Sequence, residues 1–142
     1  MAILTERDRA AVRDELARLA GPVKLVVFTS QLEASEYALE TERLVREVAE
    51  CSDQVTVELL NLHIDRDRAA AYGVDRMPAI VVEGARDYGI RFFGIPMGYE
   101  FTNLIDAMVA ASSGVPSLGA ETLERLAGLR ERVHIQVFTT PT

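Results

Sequence analysis

Cysteine occurs once in the 142 residues, at Cys51, and tryptophan not at all. A single thiol rules out an intrachain disulfide framework and leaves no Cys-x-x-Cys pair. The two histidines, His63 and His134, stand 71 positions apart (134 − 63), and no Cys/His/Asp spacing matches a structural zinc site. Glycine-rich phosphate loops and the dinucleotide fingerprint are missing as well. Neither a metal nor a cofactor is expected. No apolar run approaches the roughly 20 residues a membrane-crossing helix needs. The opening Met1-Ala2-Ile3-Leu4-Thr5-Glu6-Arg7-Asp8 has no basic region followed by an apolar stretch, so no secretory leader is expected. Positive charge is also short. Lys and Arg total 15 against 22 Asp and Glu, a net charge of −7, which argues against nucleic acid and anionic membranes as partners. The expected location is cytoplasmic.

What is present is a globular composition, 49% hydrophobic and 26% charged, in a chain long enough to bury a core. It also contains an internal repeat. Leu16-Ala17-Arg18-Leu19-Ala20-Gly21 precedes Val23-Lys24-Leu25-Val26-Val27-Phe28-Thr29-Ser30. Leu123-Glu124-Arg125-Leu126-Ala127-Gly128 precedes Val133-His134-Ile135-Gln136-Val137-Phe138-Thr139-Thr140. A repeat decides architecture before any local feature does. The expectation is a complete unit over residues 1–114, followed over 115–142 by the first helix and strand of a second.

Thr5 with Asp8 three residues on reads as a capping box, opening a helix with Val12, Leu16 and Leu19 on one face. Residues 23–28 read as a buried parallel strand. A second helix runs to about Cys51 with Tyr37, Thr41, Leu44, Val45 and Val48 on its apolar face. Val55, Val57 and Leu59 alternate with polar neighbours, which predicts a strand over 54–60. A short helix over 65–72 closes at Gly73. Residues 79–83 and 89–93 form a hairpin about a turn at 84–87. Phe101, Leu104, Ile105, Met108 and Val109 give the strongest helical periodicity in the chain. Ser117 is expected to cap the repeat helix, and 133–138 to form a last strand. The fold class is therefore α/β, a mixed sheet flanked by helices with an extra C-terminal helix and strand.

Tyr72-Gly73-Val74-Asp75-Arg76-Met77-Pro78-Ala79-Ile80 resembles the segment that leads to the cis-proline of thioredoxin-like proteins. Gly89-Ile90-Arg91-Phe92-Phe93-Gly94-Ile95-Pro96-Met97-Gly98-Tyr99-Glu100-Phe101 and Val137-Phe138-Thr139-Thr140-Pro141-Thr142 resemble two further segments. Their counterparts are in the two-unit glutaredoxin-like protein disulfide oxidoreductases of thermophiles and, more distantly, in the amino-terminal domain of the alkyl hydroperoxide reductase flavoprotein. The likeness runs from about residue 20 to the end. It implies a thioredoxin-like fold, a cis Met77-Pro78 bond, and a parent protein that performs thiol–disulfide chemistry.

The resemblance also locates the place where that chemistry is missing. Ser35-Glu36-Tyr37-Ala38 stands where the family carries Cys-x-x-Cys, so Ser35 and Ala38 are degenerate redox positions, and the pair of a second unit would follow Thr142. Ser35 reads as a helix cap, because a hydroxyl needs an adjacent base to become a nucleophile. Cys51 lies at a helix carboxyl end, where the dipole opposes a thiolate. Met77, Pro78 and Tyr37 are the candidate binding residues, lining a groove where an extended peptide or protein partner adds by backbone pairing. The reading is a redox-inactive unit that scaffolds or docks a following redox domain. Two alternatives stand beside it. One is thiol chemistry by the chain itself through Cys51; the other is a structural homodimer module formed by the 133–138 strand.

Overall fold

A computed structural model describes residues 2–30 and 36–140. The elements in chain order are α1 (Glu6–Leu16), β1 (Val23–Thr29), α2 (Glu36–Ala49), β2 (Val55–Asn61), α3 (Arg66–Tyr72), β3 (Ala79–Glu83), β4 (Asp87–Phe93), α4 (Tyr99–Ser113) and α5 (Ala120–Ala127). The four strands form one mixed sheet in the order β2-β1-β3-β4. β1 is central. It runs parallel to β2, with Val23 opposite Val55 and Thr29 opposite Asn61, and antiparallel to β3, with Val27 opposite Ile80.

The nearly continuous apolar run of β1 exists because both of its faces are covered. Val23, Leu25 and Val27 point into the larger core with Leu44, Val45 and Val48 of α2, Leu104, Ile105 and Met108 of α4, and Val12 and Leu16 of α1. Val26 and Phe28 point the other way, into a smaller cluster with Val81 of β3 and Ala69 of α3. Three helices thus lie on one face and a single two-turn helix on the other. The alternating residues of a strand reach opposite faces, so only a run apolar at both parities suits this position.

Local chemistry sets the element ends. Thr5 and Asp8 exchange bonds as a capping box: the Thr5 N–H donates to the Asp8 carboxylate at 2.9 Å, and the Asp8 N–H donates to Thr5 Oγ1 at 3.2 Å. Gly73 closes α3 at φ +66, a left-handed conformation that favours glycine. Gly84, in the β3–β4 turn, lets α4 approach: a Cβ there would stand 1.8 Å from the Ala111 carbonyl oxygen.

α1 is pinned by a charge that periodicity did not reveal. Glu47 of α2 is buried, 7% exposed. Its carboxylate accepts the Ile3 N–H at 2.8 Å and the Leu4 N–H at 2.9 Å, and pairs with Arg9 at 3.1 Å. Burial pushes this carboxyl upward. The two backbone donors and the Arg9 and Arg43 guanidiniums outweigh that and hold it below the usual glutamate range.

Four expectations are corrected. Residues 133–138 form no strand; Val133, Ile135, Val137 and Phe138 are between 59% and 89% exposed. A strand needs a neighbouring edge, and no strand of the sheet pairs with this segment. The repeat helix is capped at Gly119, not Ser117, because the chain turns first, with the Leu118 N–H donating to the Pro116 carbonyl. Tyr37 is 64% exposed; the buried stripe of α2 begins at Ala38. β4 starts at Asp87, two residues early, because the turn closes within 84–86, the Gly84 N–H donating to the Arg86 carbonyl.

Glu47→Gln keeps the shape and removes the charge. It is expected to cost about 1–2 kcal/mol at neutral pH, as expected for a charge-assisted hydrogen-bond set. A carboxyl held low in the folded state contributes stability that is complete above the unfolded value, about 4.3, and is lost as pH falls through the folded one. Urea denaturation of both proteins at stepped pH should therefore show the gap closing on acidification below about pH 4.

Candidate functional site

The end of the sheet where β1 runs out is built by three backbone segments. β1 delivers Thr29 and the buried Ser30 there. The β3 register on β1 ends at Ala79, opposite Phe28, which places Met77 and Pro78 immediately beyond it. The Met77–Pro78 bond is cis. β4 ends at Phe93, opposite Ala79, and the Gly94 N–H donates to the Pro78 carbonyl at 2.9 Å, which ties the next loop to the proline. α2 enters from the same end, since its first residues follow β1 in the chain.

The side chains here are apolar and open. Pro78 is buried and Met77 half-buried. Phe93, opposite Ala79, is 45% exposed. Arg76 lies over the Phe93 ring with its guanidinium carbon 5.3 Å from the centroid, and pairs with Asp75 at 2.8 Å. A guanidinium stacked on a ring edges the patch without burying its charge.

The predicted site residues divide as follows. Met77 and Pro78 lie together at this end, and Tyr37 projects from the first turn of α2, which is fixed by the Thr41 hydroxyl donating to the Tyr37 carbonyl at 2.7 Å. Ala38 is buried at 3% exposure. Ser35 lies outside the described residues. Cys51 is elsewhere, beyond the far end of α2. Thirteen residues from Ala38 at the helical rise correspond to about 20 Å. Its thiol donates to the Glu47 carbonyl at 3.3 Å, and burial, outweighing the Arg13 and Arg9 guanidiniums, pushes its pKa up. This favours the thiol over the thiolate.

A second polar feature went unread in the sequence. Lys24 of β1 pairs with Glu83 of β3 at 2.9 Å and with Glu58 of β2 at 3.4 Å, and Arg68 of α3 reaches Glu58 at 3.0 Å. Arg68 and Arg91 both stand over Tyr72, at 5.8 Å and 5.5 Å. This ladder continues across the sheet face that α3 leaves bare. The available signal was one charge per strand at a single parity: Lys24, Glu58, Glu83 and Arg91. Among the described residues no group of three His, Cys, Asp or Glu could hold a metal ion, and no helix is long and apolar enough to cross a membrane.

No protein-family model matches the chain. The F subunit of alkyl hydroperoxide reductase from Escherichia coli is 32% identical over 121 residues, 85% of this chain and 21% of that protein. The structure of the corresponding Enterococcus faecalis protein, a C503A mutant, superposes with a TM-score of 0.79 at 26% identity, over 89% of this chain and 61% of that one. A protein disulfide oxidoreductase from Aeropyrum pernix does so with the same TM-score of 0.79 at 26% identity, over 93% and 58%. The chain spans a quarter or less of the curated relatives it matches, between 17% and 24% of their length. Sheet order, register and these likenesses agree: the chain is a thioredoxin-like unit, similar to the amino-terminal domain of the alkyl hydroperoxide reductase F protein and to protein disulfide oxidoreductase.

Proposed function

We propose that this chain is a redox-inactive thioredoxin-fold unit of a thiol–disulfide oxidoreductase. It holds a protein segment in the Met77–Pro78 groove and serves as scaffold for a redox unit that follows residue 142 in the same polypeptide. The observation that carries the reading is Ala38: a buried methyl occupies the helix-start position where the resembled families carry a thiol. Ser35, the other degenerate position, carries a hydroxyl with no sulfur chemistry.

The groove keeps what binding needs. Backbone groups beside the cis-proline do not depend on cysteine, and the half-buried Met77 and the exposed Phe93 ring beside them suit an extended apolar segment. The Cys51 alternative loses support, because that thiol is half-buried, held in its protonated form and placed at the opposite end of α2. An unpaired thiol fits a reducing compartment, and we place the protein in the cytoplasm.

Two measurements test this. In a dithiothreitol-driven insulin-reduction assay, wild type and Cys51→Ser are expected to match the protein-free rate, whereas the doubly substituted Ser35→Cys/Ala38→Cys protein gains activity; loss of a genuine wild-type rate in Cys51→Ser would overturn the reading. Titration with the carboxymethylated insulin B chain, followed by amide NMR shifts, is expected to perturb residues 76–79 and 93–97. A pattern centred anywhere else would remove the groove from the proposal.

A further inference from the structure

The loop that leads into the groove carries a single charge pair. Over residues 72–79 and 93–98, the two segments joined at this end of the sheet, Asp75 and Arg76 are the only charged side chains. Arg76 stands one residue before Met77. Its guanidinium is fixed twice. It lies over the Phe93 ring at 5.3 Å, and on Asp75 its Nε donates to Oδ1 at 2.8 Å and its Nη2 to Oδ2 at 3.2 Å. That paired contact uses the side edge of the guanidinium, formed by Nε and Nη2. The end edge, formed by Nη1 and the second N–H of Nη2, has no partner among the described residues, and the side chain is 69% exposed.

Arg91 of β4, by contrast, is committed inward. It donates to the Tyr72 carbonyl at 3.0 Å and to Asp87 at 2.8 Å, with a side chain 15% exposed. Arg76 is therefore the cation that this end of the sheet presents. A guanidinium offers its N–H donors as a rigid planar fork, and a carboxylate matches either edge of it with two parallel bonds. One already held in place loses little freedom when a second carboxylate arrives. A segment that pairs with the backbone at Met77 places one of its residues opposite Arg76, at cross-strand distance. A carboxylate there meets the open edge. An ammonium there meets the guanidinium, beside an Asp75 carboxylate whose two oxygens are both engaged. Long-range charge works the other way, since the chain carries −7. The preference is a short-range one, best read at about 0.15 M salt, where charges are screened beyond about 8 Å.

We propose that Arg76 determines the specificity of the groove, and that its preferred occupant is an extended segment with an acidic side chain opposite Arg76, adjacent to the residue paired at Met77. Asp75 and Phe93 hold the guanidinium at the rim, and the open Nη1–Nη2 edge receives the carboxylate of the bound segment. This rests on the Met77–Pro78 groove being the binding site, and adds to it the class of segment bound.

Two capped peptides test it, Gly-Ser-Val-Thr-Xaa-Thr-Val-Ser-Gly with Xaa as Glu or as Gln, titrated into the protein and followed by amide NMR shifts. The Glu peptide is expected to shift residues 76–79 and to bind about three- to fivefold more tightly than the Gln peptide, the scale of an opposite-charge cross-strand pair. Arg76→Gln should bring the two affinities together. Arg76→Lys, which keeps the charge and loses the fork, should show a smaller preference than wild type. Arg76 is exposed and touches no core residue, so thermal unfolding of both variants should match wild type. Equal affinities in wild type overturn the proposal, as does a preference that survives Arg76→Gln, a full preference in Arg76→Lys, or a Glu peptide that leaves residues 76–79 unshifted. Each of these results leaves the groove standing if the insulin B chain still perturbs residues 76–79 and 93–97. A B chain that acts elsewhere removes the groove, and the role of Arg76 with it.

Discussion

Everything in this unit is assembled around the burial of β1. Five of its residues, Val23, Leu25, Val26, Val27 and Phe28, are 1% exposed or less, and each such side chain contributes about 1.5–3 kcal/mol on leaving water. Because the strand is apolar at both parities, it cannot sit at an edge or with one face wet. It demands neighbours on both sides and helices above and below. β2, β3, α2, α4 and α3 take those places, and the ends of β1 and β4 then bring the Met77–Pro78 segment and the start of α2 to one end of the sheet.

The two faces are satisfied by different physics. On one side three helices supply a continuous apolar layer, which α1 joins through Val12 and Leu16, and its start is held where Glu47 receives two backbone donors and Arg9. Removing a carboxylate from water is costly unless its partners are supplied, and here they are supplied by the segment it restrains. On the other side α3 is too short to cover four strands. Alternating Lys24, Glu58, Glu83 and Arg91 with Tyr72 fill the remaining area, so the sheet ends in a charged lattice and not in an exposed apolar patch.

The shape of this end of the sheet rests on no thiol. The cis Met77–Pro78 bond and the Gly94–Pro78 hydrogen bond set it, and neither uses a thiol. The fold is thus set apart from whatever chemistry its side chains carry, in line with the general rule that function resides in the side chains a fold presents.

Several features were legible in residue order alone. The Thr5–Asp8 capping box, the Gly73 stop, the helical spacing from Phe101 to Val109 and the two-sided apolarity of β1 each rest on local geometry, which depends on neighbours within a turn or a pleat. The absence of any Cys-x-x-Cys pair is likewise visible without coordinates. Tertiary structure alone decided the rest. Glu47 reads as an ordinary helix charge until Ile3 and Leu4, more than forty residues away, are seen to donate to it. Tyr37 turns outward because the buried stripe begins one residue later. Residues 133–138 repeat β1 and yet form no strand: a strand is defined by the partner beside it, and no alternation of side chains can supply that partner from within the segment itself.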